Sequence, residues 1–185
     1  MTADNQDVPA SRATRAWIER VVVAKNLCPF AKRELEQDRV RFVTTQATDE
    51  EQLLHALHAE LVLLDEQPEV ETTLLIHPDV LQDFAAYNQF LNLADELLVE
   101  MDWEGVYQIA SFHPRYQFGG TDQDDAENYS NRSPFPMLHL LREDRIELAI
   151  ASYPDVAQIP VRNIALLRGI GEAQLKALLN DCSAQ

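Results

Sequence analysis

The chain has 185 residues, of which 46% are hydrophobic, and its 31 acidic and 15 basic residues give a formal net charge of -16. A chain of this length predicts one folded domain with a sizeable core, which we place at residues 11–185 after a flexible N-terminal segment, 1–10. The negative charge argues against a nucleic-acid-binding protein, because such binding depends on neutralising phosphates. It also opposes binding to an anionic membrane surface.

The sequence shows no targeting feature. No apolar stretch approaches the roughly 20 residues that span a bilayer, and the N-terminal segment has no apolar region typical of a secretory signal. The two cysteines, Cys28 and Cys182, are far apart and too few for a disulfide framework. We therefore expect a cytoplasmic protein that binds neither nucleic acid nor membrane.

The first predicted elements are helical. Apolar residues at three- and four-residue spacing predict a helix from about Ser11 to Asn26. Pro29 disfavours helical backbone at Cys28, so a turn follows, and a second helical piece is predicted over 31–37.

Strands and long helices then alternate. Segments rich in β-branched and aromatic residues predict strands at 39–45, 71–77 and 106–112. Thr48 forms a capping-box pattern that opens the helix between the first two strands, and Asp79 is the predicted cap of the next helix. Because these helices are long enough for crossovers, the default is parallel pairing. The sequence thus predicts an α/β fold with a small, mainly parallel sheet (βαβαβ core), an N-terminal helix and C-terminal helices.

The last third of the chain is predicted to be helical. Ser133 and Pro134 are typical of a helix cap and first helical position, which predicts a helix after the long polar loop. The segment 144–151 fits either the continuation of that helix or a fourth strand. Two shorter helices are predicted at 161–168 and 172–179.

Two histidines follow predicted strands directly. His77 ends the second strand and His113 ends the third, and each precedes a proline. Ligands bind beyond the carboxyl ends of parallel strands, and the loop 115–132, long for a compact domain, starts at that edge. His113 is therefore a candidate acid/base with His77 assisting, because imidazole titrates near neutral pH. The alternative is that each histidine caps a strand end and bonds nearby carbonyls.

A divalent metal is a further possibility at this edge. His77 and His113, with a loop carboxylate such as Asp122 or Asp125, would supply nitrogen and oxygen ligands. The sequence contains no HxxxH or HExxH spacing that would support this interpretation.

The segment 128–133 predicts an anion site. A helix beginning at Ser133 would offer free backbone N–H groups, and Arg132 beside it would offer a fork for a carboxylate or phosphate. Asn128 and Asn131 are the polar neighbours in this prediction. The alternative is that Arg132 pairs with an acid of its own loop.

His139 and Cys28 complete the catalytic candidates. His139 would lie deeper on the helix that follows Ser133, or else would be a core histidine among leucines. Cys28 would be a thiolate near the histidine edge, or else a buried, inert cysteine.

Several segments resemble a known family: NLCPFA, TLLIHPDVLQDF, ASFHPRYQF, NRSPFPMLHLLRE and PVRNIALL. The family is bacterial, has plastid relatives in plants, and is catalogued as domain of unknown function fourteen-fifteen. The likeness runs from about Trp17 to Leu179 and implies a soluble single-domain protein without an assigned activity. The segments that the family shares fall on Asn26, Cys28, Pro29, His77, Pro78, His113, Pro114, Gln117, Phe118, Asn128, Asn131, Arg132, Ser133, Pro134, His139 and Glu143.

Three functional hypotheses follow from the sequence. The first is an enzyme acting on a small anionic metabolite, with His113 as acid/base and the anion held by Arg132 and the helix start at Ser133. The second is a non-catalytic binding or regulatory module that uses the loop 115–132. The third is a divalent-metal-binding protein. The sequence does not determine the oligomeric state.

Overall fold

A computed structural model describes residues 8–184. Most of the segment predicted to be flexible, 1–10, lies outside the described residues, and the first helix already begins at Pro9. The helices are α1 (Pro9–Trp17), α2 (Ala31–Glu36), α3 (Glu50–Glu66), α4 (Phe84–Glu100), α5 (Glu143–Ser152), α6 (Gln158–Ile170) and α7 (Glu172–Ser183). The strands are β1 (Val40–Thr44), β2 (Thr72–Ile76), β3 (Tyr107–Phe112) and β4 (Met137–Arg142).

The helix starts follow local capping chemistry. Asp49 caps α3 by accepting from the Gln52 N–H, and Asp83 caps α4 by accepting from two N–H groups of its first turn. The predicted caps, Thr48 and Asp79, were therefore wrong by one and four residues. Helix α1 continues as a π-helical turn, Ile18–Val23. Within residues 8–184, no helix is both long and apolar enough to cross a membrane.

The sheet is mixed, with the strand order β1-β2-β4-β3. Strands β1 and β2 pair in parallel, whereas β4 pairs antiparallel with both β2 and β3. The prediction of a mainly parallel sheet was wrong because it had no place for a fourth strand between β2 and β3. Since β2 and β3 are both antiparallel to β4, they still run in the same direction and end at the same edge.

Strand β4 also replaces the helix predicted after Ser133. Its residues are paired on both sides, so the central position in the sheet determines their backbone conformation. The ambiguous segment 144–151 lies inside helix α5. The segment of β4 is short and rich in leucine, a pattern that fits a buried strand or a buried helix equally well. Pairing with its two neighbouring strands makes it a strand.

The sheet lies between two layers of helices. One core packs α3 and α4 on the sheet face that carries Leu75 and Leu138. The other core packs α1, α6 and α7 on the face that carries Leu74 and Met137. Consecutive strand residues point to opposite faces, so a residue's position in its strand decides which layer it meets.

Candidate functional site

His77 and His113 lie together at the carboxyl edge of the sheet, beneath the start of α4. Both rings pack on Tyr87 of α4, with centroid distances of 5.8 Å for His77 and 5.1 Å for His113. Both side chains are almost fully buried, at 0% and 1% exposure. The structure therefore brings together the two histidines that follow β2 and β3.

The histidines hold the loop that connects β2 to α4. His113 Nε2 donates to the Leu81 carbonyl at 3.2 Å, and its Nδ1 accepts from the Arg115 N–H at 3.0 Å. Both ring nitrogens of His113 are thus engaged with backbone groups. His77 Nδ1 donates to the Val80 carbonyl at 3.0 Å, while its buried Nε2 has no partner among the described residues.

Burial favours the neutral form of both rings. It lowers the pKa of His77 to about 4, with the neighbouring His113 adding to the effect. Burial also lowers the pKa of His113, and the nearby Arg115 acts in the same direction. At neutral pH both imidazoles are uncharged, and their geometry is that of a structural tether for the loop 78–83.

Asn128 organises the inside of the long loop after β3. Its Oδ1 accepts from the Phe118 N–H at 3.0 Å and from the Thr121 hydroxyl at 2.8 Å. Its Nδ2 donates to the Asp122 carbonyl at 2.8 Å and lies 3.5 Å from the Gln123 carbonyl. The side chain is fully buried. Asn128 therefore holds the turn 118–123 from within, and both ends of its amide are engaged by the loop.

Arg132 also holds the long loop through its backbone carbonyls. Its Nε donates to the Tyr116 carbonyl at 3.1 Å and its Nη2 to the Gln123 carbonyl at 2.5 Å. The guanidinium also lies over the Tyr129 ring, 4.6 Å from the centroid, and the residue is 7% exposed. The geometry does not support the predicted anion-binding role, because these donors already serve backbone carbonyls and the ring covers one face.

Ser133 and Asn131 are parts of a turn rather than of a helix start. The Ser133 hydroxyl donates to the Phe135 carbonyl at 2.6 Å. Asn131 Nδ2 donates to the Ser111 carbonyl at 3.1 Å and joins the loop to the end of β3. Since no helix begins at Ser133, the dipole and free N–H groups of the predicted anion site are missing here.

His139 lies on the other face of the sheet. It is central in β4, its Nε2 is 2.7 Å from Thr72 Oγ1, and its ring lies 6.1 Å from that of Phe112. Phe112 in turn packs edge-on against Trp17 of α1. Burial lowers the pKa of His139 to about 4. The structure therefore separates His139 from the pair under α4.

Cys28 also lies away from that pair. It is a free, half-buried thiol in the turn after the π-helical segment. The preceding residue, Leu27, packs in the core on the α1 face and accepts from Asn163 of α6 at 2.7 Å. The backbone next to Cys28 is thus tied to α6, on the face of the sheet opposite to His77 and His113.

The proposed metal ligands do not assemble. Within residues 8–184, no three side chains of His, Cys, Asp or Glu are arranged to hold a metal ion. Asp125 accepts from the Asp122 N–H at 2.8 Å, so this pair closes a turn. The donor set predicted from His77, His113, Asp122 and Asp125 therefore has no geometric support.

Two open clefts flank the first turn of α4. We call the first the acidic cleft; it has a volume of about 630 Å³. Its lining residues are Thr48, Asp49, Glu50, Glu51, Val80, Leu81, Gln82, Asp83 and Ala86. We call the second the neutral cleft; it has a volume of about 450 Å³. Its lining residues are Phe84, Asn88, Tyr116, Gln117, Phe118, Gly119, Gly120 and Thr121.

The neutral cleft contains residues that the sequence interpretation did not single out as ligand contacts. Tyr116 packs against Phe84 at 5.2 Å and against Phe118 at 4.9 Å between ring centroids. The two loop aromatics alternate with exposed polar residues directly after His113-Pro114, which is a readable signal in the sequence. The contribution of Phe84 and Asn88 depends on how α4 lies over the loop, and no local pattern shows that.

Comparison with known proteins gives a family match. A family model described as "Protein of unknown function (DUF1415)" matches residues 9–177. Comparisons with curated proteins and with solved structures found no match. The match covers most of the chain, including both clefts and the loop between β3 and β4.

Proposed function

We propose that this chain, which belongs to the DUF1415 family, is a non-catalytic binding module whose recognition surface is the loop 115–132. One observation carries this proposal: the loop is held in shape by its own buried side chains. Asn128 and Arg132 together engage backbone groups of Tyr116, Phe118, Asp122 and Gln123. A surface that is ordered before binding loses less conformational entropy when it binds.

The position of the loop supports the same function. It starts at the sheet edge beside the first turn of α4 and forms one wall of the neutral cleft. The 3-10 turn of the loop, Ala126–Ser130, is tied to α6 by Glu127 and Arg168. Binding surfaces are often loops that a rigid scaffold positions, and this loop is braced on two sides.

An acid/base role has one supporting observation, the buried Nε2 of His77. This nitrogen has no partner among the described residues, and an unsatisfied buried polar atom calls for an explanation. His77 is 0% exposed, so a substrate would reach Nε2 only if the loop 78–83 moved. We therefore rank the enzyme hypothesis second. It requires that His113, with both nitrogens bonded, is not the acid/base.

Native mass spectrometry of untagged protein, gently prepared, tests the binding function. We expect the wild-type protein to retain a non-covalent ligand, and Asn128→Ala to lose it because the loop is no longer held. Asn163→Ala is the matched control, since it also removes a buried amide, one whose Nδ2 donates to the Leu27 carbonyl outside the loop. The control should keep the ligand.

Two outcomes would contradict the proposal. In the first, wild type and control carry no ligand in any preparation. In the second, Asn128→Ala retains the ligand as fully as wild type does. Amide hydrogen exchange at Phe118, whose N–H is bonded to Asn128, verifies that the variant has released the loop.

A further inference from the structure

The neutral cleft is uncharged in a strongly acidic protein. None of the described residues that line it is Asp, Glu, Lys or Arg, although the chain has 31 acidic residues. The acidic cleft on the other side of the same helix turn carries Asp49, Glu50, Glu51 and Asp83. We propose that the neutral cleft binds a planar, uncharged ligand of nucleoside size, with its flat face on the aromatic residues and its edge on Asn88 and Gln117. The inference rests on the proposed binding function, because the loop must be held in place to form the cleft.

The aromatic residues offer stacking surface. Phe84, Tyr116 and Phe118 are all half-buried, so part of each side chain faces solvent. Their rings are tilted by 55° and 65° to one another, which places flat faces in more than one direction along the wall. Flat, delocalised ligands stack on such rings without needing charge.

The amides add the polar contacts. Asn88 is exposed on α4, and its side chain makes no hydrogen bond to another described residue. Gln117 donates through Nε2 to the Thr121 carbonyl at 2.6 Å, which leaves Oε1 as an acceptor. A side-chain amide presents a donor and an acceptor side by side, matching the edge of a nucleobase or of another planar amide.

The charge of the protein restricts the ligand further. With a formal net charge of -16 and four acids in the adjoining cleft, a phosphate or carboxylate would be repelled. Arg132, the cation predicted to attract an anion, is 7% exposed and bound to loop carbonyls. The cleft volume of about 450 Å³ lies within the usual range for small-molecule sites. These facts favour an uncharged ligand over the anionic metabolite expected from the sequence.

A titration of the full-length protein followed by ¹H–¹⁵N NMR tests this inference. The first probe is adenosine, an uncharged nucleoside with a planar base. Adenosine monophosphate adds a negatively charged phosphate to the same molecule, and choline is a cation without a planar face. We expect adenosine to shift the backbone amides of Gly119 and Gly120 and the side-chain amide of Asn88. Adenosine monophosphate should bind about tenfold more weakly because of charge repulsion, and choline should leave these signals unchanged.

Three results would overturn the inference. These are tighter binding of adenosine monophosphate than of adenosine, shifts with choline alone, or no shift in the cleft with either adenosine or nicotinamide as a second planar probe. Tighter binding of adenosine monophosphate would support the anionic ligand expected from the sequence. Shifts with choline alone would point to an aromatic site for cations.

Variants locate the contact. Tyr116→Leu should weaken adenosine about tenfold, since it removes a stacking face, and Asn88→Ala should weaken it less without affecting the fold. Tyr153→Leu is the matched control, because this half-buried aromatic packs on Phe30 away from the cleft. If Tyr116→Leu and Asn88→Ala leave adenosine binding unchanged while Asn128→Ala still releases the natural ligand, the ligand class is wrong and the binding function stands. If Asn128→Ala has no effect on either ligand, the binding function itself is wrong.

Discussion

The loops that follow β2 and β3 begin with the same His-Pro pair at the same sheet edge, but they are held by different means. The shorter loop, 78–83, is held from the sheet side by His77 and His113, which donate to the carbonyls of Val80 and Leu81. The longer loop, 115–132, is held from within by its own Asn128 and Arg132. The short loop therefore depends on the sheet, whereas the long loop carries its own polar core.

The two clefts beside these loops differ in charge for a related reason. Two of the acids in the acidic cleft, Asp49 and Asp83, are there because each caps a helix that starts at this edge. The neutral cleft is walled by the self-braced loop, which turns aromatic residues, amides and glycines towards it. Helix capping thus supplies charge on one side of α4, and loop packing keeps charge away on the other.

Removing the polar core of the long loop should have the largest effect. Asn128→Ala leaves the Phe118 N–H and the Asp122 carbonyl, both at part-buried hydrogen bonds, without their side-chain partner. We expect the free energy of unfolding to fall by about 2–4 kcal/mol, measured by urea denaturation. Asn88→Ala, an exposed amide in the neutral cleft, should change it by less than about 0.5 kcal/mol. Equal losses in the two variants would show that Asn128 does not hold the loop.

The second largest effect is expected at low pH, which should destabilise the loop 78–83 that His77 and His113 hold. The unfolded chain takes up a proton at a histidine below pH 6.5, whereas folded His77 does so only near its pKa of about 4. The contribution of His77 to folding stability is therefore fully present above pH 6.5 and is lost as the pH falls towards 4. For His77 alone the loss is roughly 1 kcal/mol between pH 6 and pH 5.

The variant His77→Phe isolates this effect in denaturation curves recorded at several pH values. It keeps a ring against Tyr87 but cannot titrate, so its stability should fall less steeply below pH 6.5 than that of wild type. Protonation of carboxylates, which relieves repulsion in this acidic chain, is common to both proteins and cancels in the comparison. Parallel curves would mean that His77 is not kept neutral by burial.

The smallest effect concerns the tie between the long loop and α6. Arg168 forms two hydrogen bonds to the Glu127 carboxylate, at 3.0 and 2.5 Å, and this pairing lowers the pKa of Glu127. Because Arg168 is mostly exposed, Arg168→Ala should lower the thermal midpoint slightly at low salt and not at about 1 M salt. Arg145→Ala is the control, because Arg145 is an exposed arginine that pairs with its sequence neighbour Asp144. A loss that persists at high salt would show a packing role for Arg168.

The sequence predicted the elements whose signals are local. The starts and ends of β1, β2 and β3 follow from β-branched segments bounded by turn residues, and α3 and α4 follow from their apolar spacing. The expected juxtaposition of His77 and His113 is found although the sheet is not mainly parallel. The reason is that β2 and β3 still run in the same direction with β4 between them.

The predicted anion site depended on one element that was wrong, the helix after Ser133. Ser133-Pro134 and a leucine-rich run have the local pattern of a helix start, and only pairing with β2 and β3 makes Met137–Arg142 a strand. Once that segment is a strand, Ser133 has no helix to cap and His139 moves to the other face of the sheet. The burial of Arg132 has the same origin, since its partners are carbonyls that only the folded loop brings together.

The position of β4 has a consequence for synthesis of the chain. It is the last strand to be made, yet it is the only partner of β3 and one of two partners of β2 in the sheet of residues 8–184. Until residue 142 has left the ribosome, β2 keeps an open edge and β3 has no strand to pair with, although α3 and α4 are already complete. Unpaired strand edges recruit other chains. We therefore expect a nascent chain of this protein to be most exposed to aggregation just before its final strand emerges.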